Sequence, residues 1–183
     1  MTTPPDFSVG QVLTAAQMNA VGLWLIKTDT ITSVASKEIT GIFSADFRNY
    51  LIVLDNVKLS AAGIVQMQMG TTATGYYFGG TTVNYATGAV TGEKGANSST
   101  WFASAVADTK SAAVSITVFS PNEATQTSYE CRGTDARTNG AGLRAYSGFL
   151  DNTTAYTSVT FTNTGSGPAT FTSCNVSVYG MRN

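Results

Sequence analysis

The chain has 183 residues, of which 43% are apolar, enough for a single domain with a core of its own. Only 11% are charged, against roughly 25% in ordinary soluble domains, and ten basic residues stand against eleven acidic ones. There is therefore no basic field to grip nucleic acid. No apolar run reaches the ~18 residues of a membrane span, and the lack of histidine removes the commonest general base and metal ligand.

Polarity is carried instead by 29 threonines, 17 serines and 18 glycines. In chain order, residues 1–6 contain Pro4 and Pro5, which lack backbone donors and disfavour helix, so the N-terminus is expected to be an extended arm. It has neither the basic nor the apolar region of a secretory signal. Thr14-Ala15-Ala16-Gln17 reads as a capping box that starts a helix at Ala15, with Leu13 and Met18 as a hydrophobic staple and Gly22 as the stop. A helix this short is marginal alone. Phe7, Val9, Val12, Leu13 and Met18 must then pack on the following domain or on another subunit, which makes residues 1–22 an anchor and 23–183 the body.

From Leu23 onward the pattern is β. Residues 23–26 and 50–54 are apolar on both faces, as expected of covered central strands. Residues 63–69 alternate, with Val65, Met67 and Met69 opposite Gln66 and Gln68. The same period of two places Val114, Ile116 and Val118 on one face and turns Cys174, Val176 and Val178 inward. Further strands are expected at 31–35, 38–43, 100–106, 127–132, 143–149 and 157–162, while 75–80 and 85–99 read as a long excursion. Ten or more short strands imply an all-β fold, a two-sheet sandwich of the jelly-roll kind behind the arm and its one short helix.

Candidate chemistry is sparse. The carboxylates sit mostly in turns, where Asp caps the backbone, and no spacing singles out a catalytic pair. Asp151-Asn152 and Asn122-Glu123 offer oxygen ligands for calcium without any EF-hand-like run. Cys131 and Cys174 lack CxxC spacing, so they read as two buried thiols or one disulfide, and neither a metal nor a cofactor is expected. Arg132, Arg137 and Arg144 fall in one segment with Thr134 and Asn139, which reads as a small anion site or a solvated loop. Tyr76, Tyr77, Phe78 and Trp101 are candidate glycan contacts, because an aromatic face stacks on a pyranose; consecutive aromatics in a strand point to opposite faces, so part of the set belongs to the core.

Three phrases carry a resemblance. Residues 7–22 (FSVGQVLTAAQMNAVG) resemble the N-terminal segment of tailed-bacteriophage minor tail and fibre-like proteins; residues 40–53 (TGIFSADFRNYLIV) resemble a strand pair of phage fibre and appendage domains; and residues 156–183, ending VYGMRN, resemble their closing strand. Where the family often has glycines near that strand, Ser173-Cys174 stands here. The resemblance implies a non-enzymatic virion structural protein, tail-associated or fibre-like, that contacts other virion proteins and forms a homotrimer. Host-surface attachment, with a surface glycan as the partner, follows as an expected role; a capsid decoration protein and a carbohydrate-binding module are the alternatives.

Overall fold

The structure, a computed structural model, describes residues 10, 22–137, 141–164 and 169–181. The expected arm, apart from Gly10, and the short helix with Phe7, Val9, Val12, Leu13 and Met18 lie outside the described residues. Among those described, every helix or strand is a strand.

Twelve strands are numbered in chain order. Eight form an antiparallel ladder in the order β1 (Leu23–Thr30), β12 (Phe171–Met181), β3 (Asn49–Leu59), β8 (Ala112–Phe119), β9 (Ser128–Asp135), β10 (Gly142–Leu150), β5 (Tyr76–Asn84) and β6 (Val90–Ser98). The other four, β7 (Trp101–Ala107), β4 (Gly63–Met69), β11 (Val159–Asn163) and β2 (Ser36–Ile39), form a second antiparallel run. One parallel register pair, Val106 with Asp135, joins β7 to β9, and a lone bridge from Val34 to Phe171 ties the approach of β2 to β12. The twelve strands are thus one all-β sheet, curled until it is nearly closed like a barrel.

Alternation determines which side chains fill it. In β3, Tyr50, Ile52 and Leu54 point inward, and continued alternation would turn Asn56 and Lys58 inward next. A bulge prevents this. Asn56 takes a left-handed φ of 47° and the pairing with β8 shifts between Leu54 and Val57, so that Val57 and Leu59 face the core instead. The Asn56 side chain stays outside and donates to Ser173 Oγ at 2.8 Å.

An aromatic seam links the two runs of strands. Tyr76 of β5 meets Trp101 of β7 edge to face at 5.0 Å, and Trp101 stacks on Tyr129 of β9 at 4.4 Å. A second cluster forms at the other end, where Tyr50 packs against Phe43 and Phe47 and its hydroxyl both accepts from Ser44 N–H (2.7 Å) and donates to Ser44 C=O (2.8 Å). Phe47 lies directly on Gly180, where any Cβ would overlap its ring. The segments around residues 43–50 and 179–181 are therefore one packed unit, with Tyr50 paired to Gly180.

Four sequence expectations change, the first being the strand at 38–43, which is β2 over Ser36–Ile39 and ends ahead of Gly41, where the chain takes a φ of 67°. Among the described residues β1 is an edge strand paired with β12 alone, and Leu23 and Leu25 are 53% and 57% exposed; an apolar run alone does not distinguish two covered faces from one face left open. Residues 31–35 form no strand, because Ser33 turns the chain with a φ of 59° and leaves only the Val34 bridge. The supposed excursion over 75–99 is largely the β5–β6 hairpin, which extends the eight-strand ladder. Its turn is made by Asn84, whose side chain accepts from the Ala86 and Thr87 N–H groups, and by Gly88 at a φ of 68°.

The seam makes a direct test of the packing: Trp101→Ala should cost about 3–5 kcal/mol in equilibrium denaturation. A loss below ~1 kcal/mol would show that the two runs of strands do not depend on that ring.

Candidate functional site

Strand pairing lays out the outer face of the ladder row by row, since directly paired residues share a face. Across β8, β9, β10 and β5, one outward row is Thr117, Glu130, Ser147 and Gly79, and the next is Ser115, Arg132, Ala145 and Thr81. Their side chains are mostly short. On one side stands the row Phe119, Ser128, Phe149 and Tyr77, and on the other Leu143 between Thr134 and Val83. The short rows between taller ones form a shallow trough of about 320 Å³, lined by Gly79, Gly80, Ser115, Thr117, Glu130, Arg132, Ala145 and Ser147. A neighbouring hollow with Leu143 and Val53 continues it across Ser115 and Arg132.

Gly80 and Gly148 allow β5 and β10 to lie so close: a Cβ on Gly80 would run into the Ala145 carbonyl, and one on Gly148 into that of Tyr77. Glu130 and Arg132, both exposed, form no ion pair or side-chain hydrogen bond among the described residues. They are the trough's two charged groups, and they are opposite in sign. Phe149 stacks on Tyr77 at 5.1 Å with the rings 10° apart, and it stays 38% exposed.

Of the four aromatics picked out from the sequence, the structure places Tyr76, Phe78 and Trp101 in the core, and Tyr77 alone reaches the outer face. The Trp101 indole N–H donates to the Tyr77 carbonyl at 3.3 Å, so Tyr77 is anchored through its backbone while its ring is left to Phe149. Arg132 was expected only as part of an anion site, and nothing in the sequence set Phe149, Glu130 and Ser147 beside it. The polar alternation of Ser128, Glu130 and Arg132 in β9 was the available signal for an outward row.

The arginine segment divides in two. Arg132 is exposed in the trough, whereas Arg144 is buried on the inner face, between Asp135 and Glu93. Asp135, 1% exposed, accepts from Arg137 Nε at 2.8 Å and Nη2 at 2.5 Å and from Arg144 Nη2 at 3.3 Å. Arg144 Nη1 reaches Glu93 Oε2 at 3.1 Å and the Tyr146 hydroxyl at 3.0 Å, and Tyr146 donates to Glu93. Burial, followed by that bond, pushes the Tyr146 phenol above its ordinary range, while the bond from Arg137 to Asp135 holds the guanidinium charged. The anion-site expectation fails for Arg144 and Arg137 because two carboxylates of the chain itself occupy them; Asn139 lies outside the described residues. The cluster binds β6, β9 and β10 together across the rim of the core.

The calcium candidates serve turns. Asn152 Oδ1 accepts from the Thr154 N–H, Asn122 donates to the Tyr156 carbonyl, and Glu123 pairs with Arg48 at 3.4 Å. Among the described residues, no group of three or more acidic or cysteine side chains is placed to hold a metal ion. Asp29 is bonded to Lys37 at 2.6 Å, which lowers its pKa below the usual value.

Cys131 and Cys174 are both buried and unbonded, which resolves the open choice in favour of two thiols. Burial raises each to about 12. No family model matches the chain, and neither does any curated protein or solved structure.

Two outcomes follow. Asp135→Ala removes one of the two carboxylates that hold the buried Arg144 and should cost up to about 3–5 kcal/mol in urea denaturation; a change under ~1 kcal/mol would mean the cluster contributes little. Both thiols should resist alkylation at pH 8 in the native protein and react on unfolding, because the folded state favours the protonated form. For the same reason, their contribution to stability should be lost as pH climbs from 9.0 towards about 12. Rapid native labelling of either cysteine at pH 8 would contradict their burial.

Proposed function

We propose that the chain is a non-enzymatic structural component of a tailed-bacteriophage virion, tail-associated or fibre-like. It is assembled in the host cytoplasm as a symmetric oligomer, a homotrimer, and is held to other virion proteins through residues 1–22. In this proposal the curled sheet acts as a flattened two-layer sandwich of the jelly-roll kind, and its outer face contacts the host surface.

The observation that carries the proposal is the packing of Phe47 on Gly180, with Tyr50 paired to that glycine. Two of the three phrases that resemble phage appendage proteins thereby meet at the junction of β3 and β12. Edges and charge support the assembly part. Among the described residues β1 and β6 each pair on one side, Leu23 and Leu25 are exposed immediately after residues 1–22, and a second subunit would cover such an edge. The weakly charged, hydroxyl-rich surface puts few like charges opposite one another when identical copies meet.

Mass spectrometry of purified particles should find the chain at fixed stoichiometry, and antibody-labelled micrographs should place it on the tail. Deletion of residues 1–22 should leave a soluble body that no longer joins the particle. Absence from particles, or normal incorporation of the truncated chain, would overturn the proposal; labelling of the capsid surface would favour a decoration protein instead.

A further inference from the structure

The geometry points to a binding site for a neutral hexopyranose on the outer face of β9, bounded by Phe149, Glu130, Arg132 and Ser147. It deepens the surface-contact part of the function proposed above. Four observations lead to it.

The first is an aromatic face in the right direction. Phe149 on β10 has one side of its ring against Tyr77 on β5, so its other side is turned towards β9, above Ser128. Phe119 stands on the far side of Ser128, 36% exposed, and the two rings bound a slot over a residue with a short side chain. An exposed phenyl face of this kind suits the C–H face of a pyranose.

The second is the position of the polar groups. Glu130 is two residues beyond Ser128 on the same strand face and is paired directly with Ser147; Arg132 is two further on, paired with Ala145. A ring lying on Phe149 would therefore direct its hydroxyl edge along β9 towards a carboxylate that accepts, a guanidinium that donates, and the Ser147 hydroxyl. One diagonal step of a sheet, about 7–8 Å, separates the aromatic row from Glu130, within reach of long side chains.

The third is that these groups are unspent. The carboxylate–guanidinium cluster on the inner face is used up in holding β6, β9 and β10 together, whereas Glu130 and Arg132 have no partner among the described residues. The fourth is charge. One acid and one base cancel, so the trough has no net field to select an anion, and a hydroxyl-rich neutral ligand satisfies both groups at once. Its floor strands are interior strands of the ladder, paired on both sides, so the site does not have to be ordered on binding.

The test uses the full-length protein on an array of neutral gluco-, manno- and galacto-oligosaccharides printed beside uronate-containing and sulfated ones. At least one neutral probe should be retained, and Phe149→Ala should weaken that binding at least tenfold with an unchanged melting temperature. Glu130→Gln should weaken it by a similar factor and shift preference towards the anionic probes, since Arg132 is then left uncompensated. If Phe149→Ala does not fold, Phe149→Leu keeps the strand packed without the ring face and should show the same loss. Retention of no neutral probe, retention of anionic probes alone, or wild-type binding by both the Phe149 and Glu130 variants would overturn the site. Because the array needs no particle, its failure would leave membership of the virion untouched.

Discussion

Antiparallel pairing of β3 with β12 sets Tyr50 against Gly180, Leu51 against Tyr179 and Ile52 against Val178, and the rest of the sheet is laid out from that pair. β12 brings β1 to one side, while β3 brings β8 to the other, and through β8 come β9, β10 and the β5–β6 hairpin. The pairing also settles which face is which. With Tyr50, Ile52 and Leu54 inside, the residues directly opposite them, Gly180, Val178 and Val176 on β12 and Val118, Ile116 and Val114 on β8, face inward too, until the Asn56 bulge resets the phase for Val57 and Leu59. A one-residue slip here would expose the core row and bury the hydroxyl row, which is why the glycine under Phe47 and the asparagine at a positive φ both matter.

Scarcity of charge shapes the two faces differently. Inside, the charged groups that are buried are spent on each other: Asp135 and Arg144 meet at the rim, with Arg137 and Glu93 completing the cluster from the solvent side. Losing one member would leave another less well paired in a medium that penalises it. Outside, the side chains over β8, β9, β10 and β5 are largely small or hydroxyl-bearing, and the single acid and single base among them remain available. One set of strands thus carries a sealed core on one face and an open trough on the other.

Much of this was legible in the sequence because a period of two is a strong signal. Val114, Ile116 and Val118, the Met67 and Met69 face, and the inward Cys174 are all where alternation puts them. What failed was neighbour identity. Leu23 and Leu25 look like core in a linear string, since nothing local says that β1, among the described residues, has its partner on one side. The stretch from Gly75 to Gly80 looks like a loop because its glycines weaken strand propensity, although Gly80 is required there by the closeness of Ala145 and Tyr146. The trough was the least visible feature. Its residues come from four strands, and only their register shows that Glu130 neighbours Ser147 and that Phe149 stacks on Tyr77. Bulges such as Asn56 were likewise invisible, being a compromise between two phases of alternation rather than a motif.

The trough's floor strands should be as firm as the core beneath them, leaving the edges to make the adaptable contacts. Amide hydrogen exchange of the native protein measures this strand by strand. The outward- and inward-facing residues of β8 and β9 should exchange as slowly as those of β3 and β12, while β6 and β1, each paired on one side, exchange much faster. Exchange in β8 and β9 at the rate of β6 would contradict the account, since the trough would then have no rigid floor.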